Sequence, residues 1–181
     1  MLKMSLWVAV FPSLLFCASS NSSLFEETPP TEINACIERS DIKSSYSPEL
    51  LFKSSALCIN DEKYNQAVDL YLVATAYGYF DTQRVLDKTA WQALDVIKTE
   101  NFSAIDANKR NKFAEALRTR LDDMKTTCTF LQKLGKPNYH PNYMIQAGVQ
   151  SFASKSKNGL VPNYNPNALW EETRFTFLRC Q

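Results

Sequence analysis

Apolar and small side chains recur three and four positions apart through the middle of the chain, and this spacing restricts the fold more than any other feature. Such spacing is typical of helices with one buried face. Only four glycines occur in 181 residues, which disfavours a β-sandwich with its many tight turns. We therefore expect an all-α protein. The clearest run comprises Tyr64, Ala67, Val68, Tyr71, Leu72, Thr75 and Ala76.

Capping residues, glycine and proline divide this pattern into separate helices. A short helix over 144–153 and a last helix over 168–179, capped by Asn167, lie in a carboxyl-terminal third that is rich in loops. Four earlier helices are predicted. The first is capped by Ser47 and runs from Pro48 to about Asn60, and the second begins at Asp61 and ends near Gly78. The third is capped by Asp81 or Thr82, and the fourth begins at Ser103 or Asp106 and ends at Gly135.

The amino terminus has the features of a secretory signal. Lys3 precedes an apolar run over 6–16, and small residues follow it. The run is too short to span a bilayer. Residues 21–34 contain Pro29, Pro30 and small polar residues, which predict a flexible tether. The predicted organisation is a signal peptide over 1–20, a tether over 21–34 and a single helical domain over 35–181.

Four cysteines remain after the signal, and an even number in an exported chain predicts two disulfides. Three pairings are open. We favour Cys36 with Cys58 and Cys128 with Cys180, because each pair closes a moderate loop beside a predicted helix. No Cys-x-x-Cys or Cys/His spacing is present, so we expect no metal site.

Cys17 at the end of the signal leaves two outcomes open. Leu14, three residues earlier, suits the lipidation signal of a bacterial lipoprotein, whereas Phe16 does not, since that position requires a small residue. Ordinary cleavage near Ser19 or Ser20 is the favoured outcome. The protein is then periplasmic, or anchored to the envelope if Cys17 is lipidated.

The charge balance excludes several classes of partner. The formal net charge of the whole chain is +1, and removal of Lys3 with the signal brings it to about zero. Basic stripes are the electrostatic mark of nucleic-acid binding, and none is present. We expect no nucleic-acid partner, and contact with a membrane only through a lipid on Cys17.

Catalytic motifs are scarce. His140 is the single histidine, so a hydrolase with a nucleophile–histidine–acid triad would have to use it. No Gly-x-Ser-x-Gly sequence accompanies it. The carboxylate pairs at 122–123 and 171–172 are adjacent on helices, where neighbours point about 100° apart. We expect a protein without enzymatic activity or cofactor, and keep a hydrolase using His140 as an alternative.

Over residues 51–78, small residues such as Ser55 and Ala67 and the aromatic residue Tyr71 follow one another in the register of two short helices. With this pattern the segment resembles a tetratricopeptide repeat, and an ordinary helical hairpin is the alternative. Small residues of such a repeat let two antiparallel helices approach closely. The resemblance implies antiparallel helical hairpins stacked in a short tetratricopeptide-like array. It is carried by Leu51, Ser55, Cys58, Tyr64, Ala67, Tyr71 and Ala74.

The segment over 134–145, with the later Trp170-Glu171-Glu172, is similar to segments of small exported bacterial proteins of unassigned or immunity type. Those with a known role are said to neutralise toxins delivered by type VI secretion. This resemblance implies a role in binding another protein. With the neutral charge, the predicted disulfides and the missing catalytic set, it leads us to expect a periplasmic binding module, whose concrete form is an immunity protein against a secreted toxin. A structural or assembly lipoprotein of the envelope is the alternative.

Aromatic residues near prolines in the last third suggest where a partner would bind. We expect Tyr139, Tyr143 and Tyr164 to be exposed and, with His140, to contact the partner. Trp170 and Phe177 are expected in the core.

Overall fold

The protein is all-α throughout residues 32–149 and 158–180, which the computed structural model describes. This confirms the predicted fold class. Cys17, the predicted signal and residues 21–31 of the predicted tether lie outside the described residues. The helices are α1 (Pro48–Asn60), α2 (Tyr64–Arg84), α3 (Ala93–Phe102), α4 (Ala107–Asp122), α5 (Lys125–Leu134), α6 (Asn142–Ala147) and α7 (Pro166–Glu172).

The hairpin of α1 and α2 forms the centre of the core. A three-residue turn joins the two helices, which pack along each other. The Ser55 hydroxyl donates a 2.8 Å hydrogen bond to the Ala67 carbonyl, and both residues are fully buried. Small side chains at this contact allow the close approach that the sequence predicts.

Four aromatic rings connect this hairpin to the next two helices. Phe52 of α1 meets Tyr71 of α2 edge-on at 5.4 Å between centroids, and Phe102 of α3 meets both of them. Phe113 of α4 completes the cluster at 5.5 Å from Tyr71. Edge-on pairs of this kind stabilise a core by about 0.5–1.5 kcal/mol each beyond the burial of area.

A second aromatic cluster attaches α7 to the far half of α2. Trp170 lies 5.7 Å from Tyr77 and 6.1 Å from Phe80, both edge-on. Trp170 is buried, as expected. Phe177 is 40% exposed, so its expected place in the core is wrong. Its ring stacks flat on Tyr79 at the surface, with the centroids 4.0 Å apart.

Helix α2 continues past Gly78, where the sequence analysis places its end. Gly78 does not take up a positive φ. A Cβ atom at this position would lie 2.6 Å from Cδ2 of Leu94, so the glycine serves the close approach of α3. Asp81 and Thr82, the expected caps of the third helix, therefore lie buried inside α2.

The long fourth helix expected up to Gly135 is interrupted. Helix α4 ends at Asp122, and the backbone of Asp123 is extended, with φ −133° and ψ 92°. The Asp123 carboxylate then accepts a 3.0 Å hydrogen bond from the amide of Lys125 and starts α5. Asp106 caps the start of α4, and Gly135 ends α5 with φ 79°.

The carboxyl-terminal helices are shorter than expected. In the described part of the chain the short sixth helix ends at Ala147. Asn165 rather than Asn167 caps α7, because its side chain accepts hydrogen bonds from the amides of Asn167 and Ala168. Helix α7 passes into a π-helical turn at Thr173–Phe177, which ends short of the predicted Arg179.

Two disulfides join distant parts of the chain. Cys36 is bonded to Cys58 with an S–S distance of 2.06 Å, and Cys128 to Cys180 at 2.01 Å. This is the pairing favoured from the sequence. Disulfides persist in oxidising compartments, which is compatible with the predicted export. Among the residues described, none of the helices has the length and apolar character needed to cross a bilayer.

The packed part of the chain begins before the predicted boundary at residue 35. Ile33 is buried, although it belongs to the predicted tether. Lys53 on α1 donates hydrogen bonds of 2.8 Å to the Glu32 carboxylate and 2.9 Å to the Asn34 amide oxygen. Residues 32–34 thus lie against α1.

The elements after the first hairpin do not repeat its dimensions. Helices α1 and α2 have 13 and 21 residues, whereas α3, α4 and α5 have 10, 16 and 10. The structure shows the antiparallel hairpin of α1 and α2. The stacking of further hairpins in a tetratricopeptide-like array stays a prediction.

Replacement of Phe52 tests the central cluster. Because Phe52 is fully buried and touches rings of α2 and α3, Phe52→Ala should lower the free energy of unfolding by about 3–5 kcal/mol. Urea denaturation followed by circular dichroism measures this change. Val96→Ala, at a 53% exposed position of α3, is the control and should change stability by less than about 0.5 kcal/mol. Equal effects of both would contradict the assigned core.

Candidate functional site

A groove of about 1140 Å³ opens between α2, the junction of α4 with α5, and the carboxyl-terminal segment. Its walls come from four stretches of chain, at 71–75, 117–125, 128–132 and 174–179. The stretch over 117–125 includes the break at Asp123, where the chain changes direction between α4 and α5. The groove is thus a product of tertiary packing.

Much of the groove lining is apolar. Leu117 and Leu121 come from α4, Met124 from the junction, and Phe177 and Leu178 from the carboxyl-terminal segment. Leu121 is 53% exposed and Phe177 is 40% exposed. Large apolar side chains that share an exposed concave surface are typical of a place where another molecule docks.

Charged side chains of both signs line the groove, and Lys125 lies at the same junction as two aspartates. Asp122 and Asp123 are at the junction of α4 and α5, and Arg174 and Arg179 are on the carboxyl-terminal segment. The buried Arg174 guanidinium binds both carboxylate oxygens of Glu171, at 3.2 and 3.1 Å from Nη1. This arrangement would orient a partner whose charges are complementary.

A buried ionic cluster lies elsewhere, at the end of α2. The Asp81 carboxylate has no exposed area and accepts hydrogen bonds from the hydroxyls of Tyr139 at 2.8 Å and Tyr143 at 2.9 Å. Arg84, one turn later, donates to the same carboxylate at 2.8 Å and to the Tyr139 carbonyl at 3.0 Å. The cluster therefore fastens the segment over 139–143 to α2.

Burial and charge act in opposite directions on the groups of this cluster. Burial raises the pKa of Asp81, while the charge of Arg84 and the two phenol donors oppose that rise. Burial, and then the Asp81 charge, raise the pKa of both Tyr139 and Tyr143 well above the usual value. Burial alone would lower the pKa of Arg84, but the Asp81 charge raises it overall. The phenols thus remain neutral donors.

Of the four residues predicted to contact a partner, the three tyrosines lie at the ionic cluster and His140 does not. Tyr139, Tyr143 and Tyr164 are half-buried rather than exposed, and all three contact the ionic cluster. A hydrogen bond with Tyr164 also helps to raise the pKa of Arg84. His140 is exposed and does not join the ionic cluster, but it lines a second cavity together with Tyr139 and Tyr143. The expected exposure of the three tyrosines is therefore wrong, because their hydroxyls bind inside the protein. Their role in binding a partner stays a prediction.

His140 lines a smaller cavity of about 420 Å³ beside the first turn of α1. Its Nδ1 lies 2.8 Å from the Asn142 side-chain oxygen and its Nε2 lies 3.0 Å from the Asn158 carbonyl. In the same cavity, burial and the charge of Glu100 raise the pKa of Glu49. Both ring nitrogens of His140 are thus engaged by amide oxygens, and in the described part of the chain no nucleophilic hydroxyl or thiol is hydrogen-bonded to the ring. The hydrolase alternative thus stays a prediction with no geometric support.

The remaining candidates for metal or acid–base chemistry do not converge. Across 32–149 and 158–180, no three histidine, cysteine or acidic side chains are grouped as ligands for a metal ion. The carboxylates at 122–123 and 171–172 belong to exposed residues.

The residues of the groove were not singled out from the sequence. The sequence pattern places Leu117, Leu121 and Met124 within one predicted helix that ends at Gly135, and it does not show that they share a groove. The acidic pair Asp122 and Asp123 inside the apolar pattern was the one sign of a break in the helix, since aspartate can end one helix and cap the next.

Comparisons with protein-family models, with curated proteins and with solved structures found no match for this chain. The functional argument therefore rests on the groove and on the compartment that the disulfides indicate.

The ionic cluster can be tested by removing one charge. Asp81→Asn leaves the Arg84 guanidinium buried without its counter-charge, which should lower the free energy of unfolding by about 3–5 kcal/mol. Asp95→Asn, which alters a carboxylate that is 86% exposed, should change it by less than about 1 kcal/mol. Urea denaturation of both variants measures the difference. A stable Asp81→Asn variant would show that the cluster does not fasten the fold.

The raised pKa of Tyr139 and Tyr143 leads us to expect that the folded protein loses stability at alkaline pH. A phenol in the unfolded chain ionises near pH 10, whereas Tyr139 and Tyr143 ionise at higher pH in the folded protein. Their contribution to stability is complete below about pH 10 and is lost as the pH rises toward the folded pKa values. Thermal unfolding should therefore show a stability loss above about pH 10 that the Tyr139→Phe/Tyr143→Phe variant reduces. An unchanged slope in that variant would contradict the assignment.

Proposed function

We propose that this protein is a non-enzymatic binding module of the periplasm, which holds a segment of another protein in the groove between α2, α4, α5 and the carboxyl-terminal segment. The observation that carries the proposal is the shared exposure of large apolar side chains, Leu121 and Phe177, on that concave surface. A partner that covers Leu121 and Phe177 removes their apolar surface from water, which favours binding.

The size and lining of the groove favour a protein segment over a small molecule. Its volume of about 1140 Å³ lies above the usual range of small-molecule sites, about 300–1,000 Å³. Its lining combines apolar side chains from α2, α4 and the carboxyl-terminal segment with charged side chains of both signs. An amphipathic helix of a partner presents a matching apolar stripe with charged residues on either side.

The compartment and the concrete role rest on further support. Two disulfides favour an oxidising environment, in agreement with the secretory signal predicted over residues 1–20. The similarity of residues 134–145 to exported immunity proteins supports neutralisation of a delivered toxin as the concrete role. An assembly lipoprotein of the envelope would use the same groove, and the identity of the partner distinguishes the two roles.

A charge placed in the groove tests the proposal. Leu121→Lys puts an ammonium group on the apolar surface and should weaken binding at least about tenfold, since about 1.4 kcal/mol corresponds to a factor of ten. Val96→Lys is the matched control, because Val96 is also a 53% exposed apolar residue on a helix, outside the groove lining. The experiment is a quantitative pull-down from envelope extract, followed by calorimetry with the recovered partner.

The expected result is one stoichiometric partner, held by the wild type and by Val96→Lys and lost by Leu121→Lys. A partner held equally by all three proteins would place binding on another surface. Recovery of no partner by the wild type would refute the binding-module function.

A further inference from the structure

Arg174, which lines the groove, is a buried arginine whose hydrogen bonding is incomplete. The residue is 8% exposed, and its Nη1 contacts both carboxylate oxygens of Glu171. Its Nε is buried and donates to no acceptor. Within the described residues, no other charged side chain has a buried polar atom without a partner. Because buried polar groups are nearly always paired in native proteins, this guanidinium retains the capacity for a further acceptor.

Arg84, which is also buried, shows a complete pairing for comparison. Its Nε and Nη2 both donate to the Asp81 carboxylate at 2.8 Å, and Nη2 also donates to the Tyr139 carbonyl at 3.0 Å. The Asp81 side chain has no exposed area, whereas the Glu171 side chain is 50% exposed. A carboxylate screened by water compensates a buried guanidinium less well than a buried carboxylate does.

Arg174 lies where the groove meets another concave surface. A cavity of about 290 Å³ is lined in part by Gln132 and Arg174, and both of these residues also line the groove. The Arg174 side chain therefore lies at the boundary between the two surfaces, within reach of a segment that occupies the groove.

The charges that line these two surfaces favour a negatively charged group near Arg174. Lys136 lines the smaller cavity with Arg174, and Arg179 lines the groove with it. An acidic side chain of a partner is attracted by this set of charges, whereas a basic one is repelled. The charged lining of both surfaces comprises Lys125, Lys136, Arg174 and Arg179 against Asp122, Asp123 and Glu171.

The backbone that carries Arg174 has an uncommon conformation. Residues Thr173–Phe177 form a π-helical turn, in which the Leu178 amide donates to the Thr173 carbonyl at 3.1 Å. Single π-helical turns within helices are rare and frequently occur at functional sites. This turn contains Arg174 and Phe177, and both residues line the groove. The backbone is thus a second, independent sign that this stretch serves binding.

We infer that Arg174 is the specificity-determining residue of the groove, and that it pairs with an acidic side chain on the segment of the partner protein that docks there. This inference rests on the proposed function of the groove. Apolar contacts with Leu121 and Phe177 supply affinity, and the ion pair selects segments that carry an acid beside their apolar residues.

The partner carboxylate competes with Glu171 for the guanidinium. Glu171 engages Nη1, and a rotation of the Arg174 side chain, of the kind common at interfaces, brings Nε toward the partner. Hydrogen bonds between a guanidinium and a carboxylate are charge-assisted, and they are strongest where water is excluded. The covered groove provides such a place.

The probe for the test is a displayed library of random peptides, fused to the carrier at their carboxyl ends so that only side chains supply a carboxylate. Selection uses the exported, oxidised wild type, and peptides that also bind Leu121→Lys are removed. We expect the remaining peptides to share an aspartate or glutamate beside apolar residues. A synthetic peptide of this set should bind Arg174→Gln at least about tenfold more weakly than the wild type, because one partner of a buried charge pair is lost.

Two further variants separate pairing from net charge and from misfolding. Arg179→Gln removes the same charge from an exposed side chain of the groove lining and should change binding by less than about threefold. Glu171→Gln removes the competing carboxylate and should tighten binding of the acidic peptide about twofold or more. Glu171→Gln decides the question if circular dichroism shows that Arg174→Gln does not fold.

The outcomes separate the inference from the proposed function. Groove-dependent peptides without a shared acidic residue would overturn the inference and leave the function standing. Equal binding of the acidic peptide by the wild type and a folded Arg174→Gln would do the same, as would equal losses in Arg174→Gln and Arg179→Gln, or no tightening by Glu171→Gln. If no selected peptide depends on Leu121, the groove is not a binding surface, and the proposed function fails together with the inference.

Discussion

The burial of α2 is the constraint on which the rest of this structure depends. Helix α1 packs along it, α4, α5 and α7 contact its other sides, and most of its side chains have little exposure. A helix enclosed in this way must pair each polar group that it carries into the core. Asp81 and Arg84 meet this requirement together, with hydroxyls from the segment over 139–143. An ion pair inside α2 thus holds the segment over 139–143 in place.

The groove lies where the cover of α2 is incomplete. Tyr71, Leu72 and Thr75 of α2 are among its lining residues, between the junction of α4 with α5 and the carboxyl-terminal segment. The break at Asp123 lies at one wall, and the bond from Cys128 to Cys180 joins α5 to the carboxyl-terminal segment. Asp123, between two helices, and Cys128, in a disulfide, are thus both structural residues and lining residues of the candidate binding surface.

The candidate site was largely beyond prediction from the sequence. Two of the tyrosines expected to face a partner, Tyr139 and Tyr143, turn their hydroxyls to Asp81, because a buried carboxylate is stabilised by each hydrogen bond that it accepts. Phe177 was expected in the core and is exposed in the groove. Periodicity identifies which residues avoid water, but it does not show whether a neighbouring element covers them.

The sequence by itself determined the all-α class, the start of α1, the antiparallel hairpin and the end of α5 at Gly135, because these depend on local spacing and local backbone preferences. It also favoured the observed cysteine pairing, since loop length and adjacent helices restrict it. Tertiary structure alone decided that α2 continues through Gly78, that the fourth helix divides at Asp123, and that Asp81 lies in the core. Each of these depends on a contact with a residue distant in the chain or on the space that another helix leaves open.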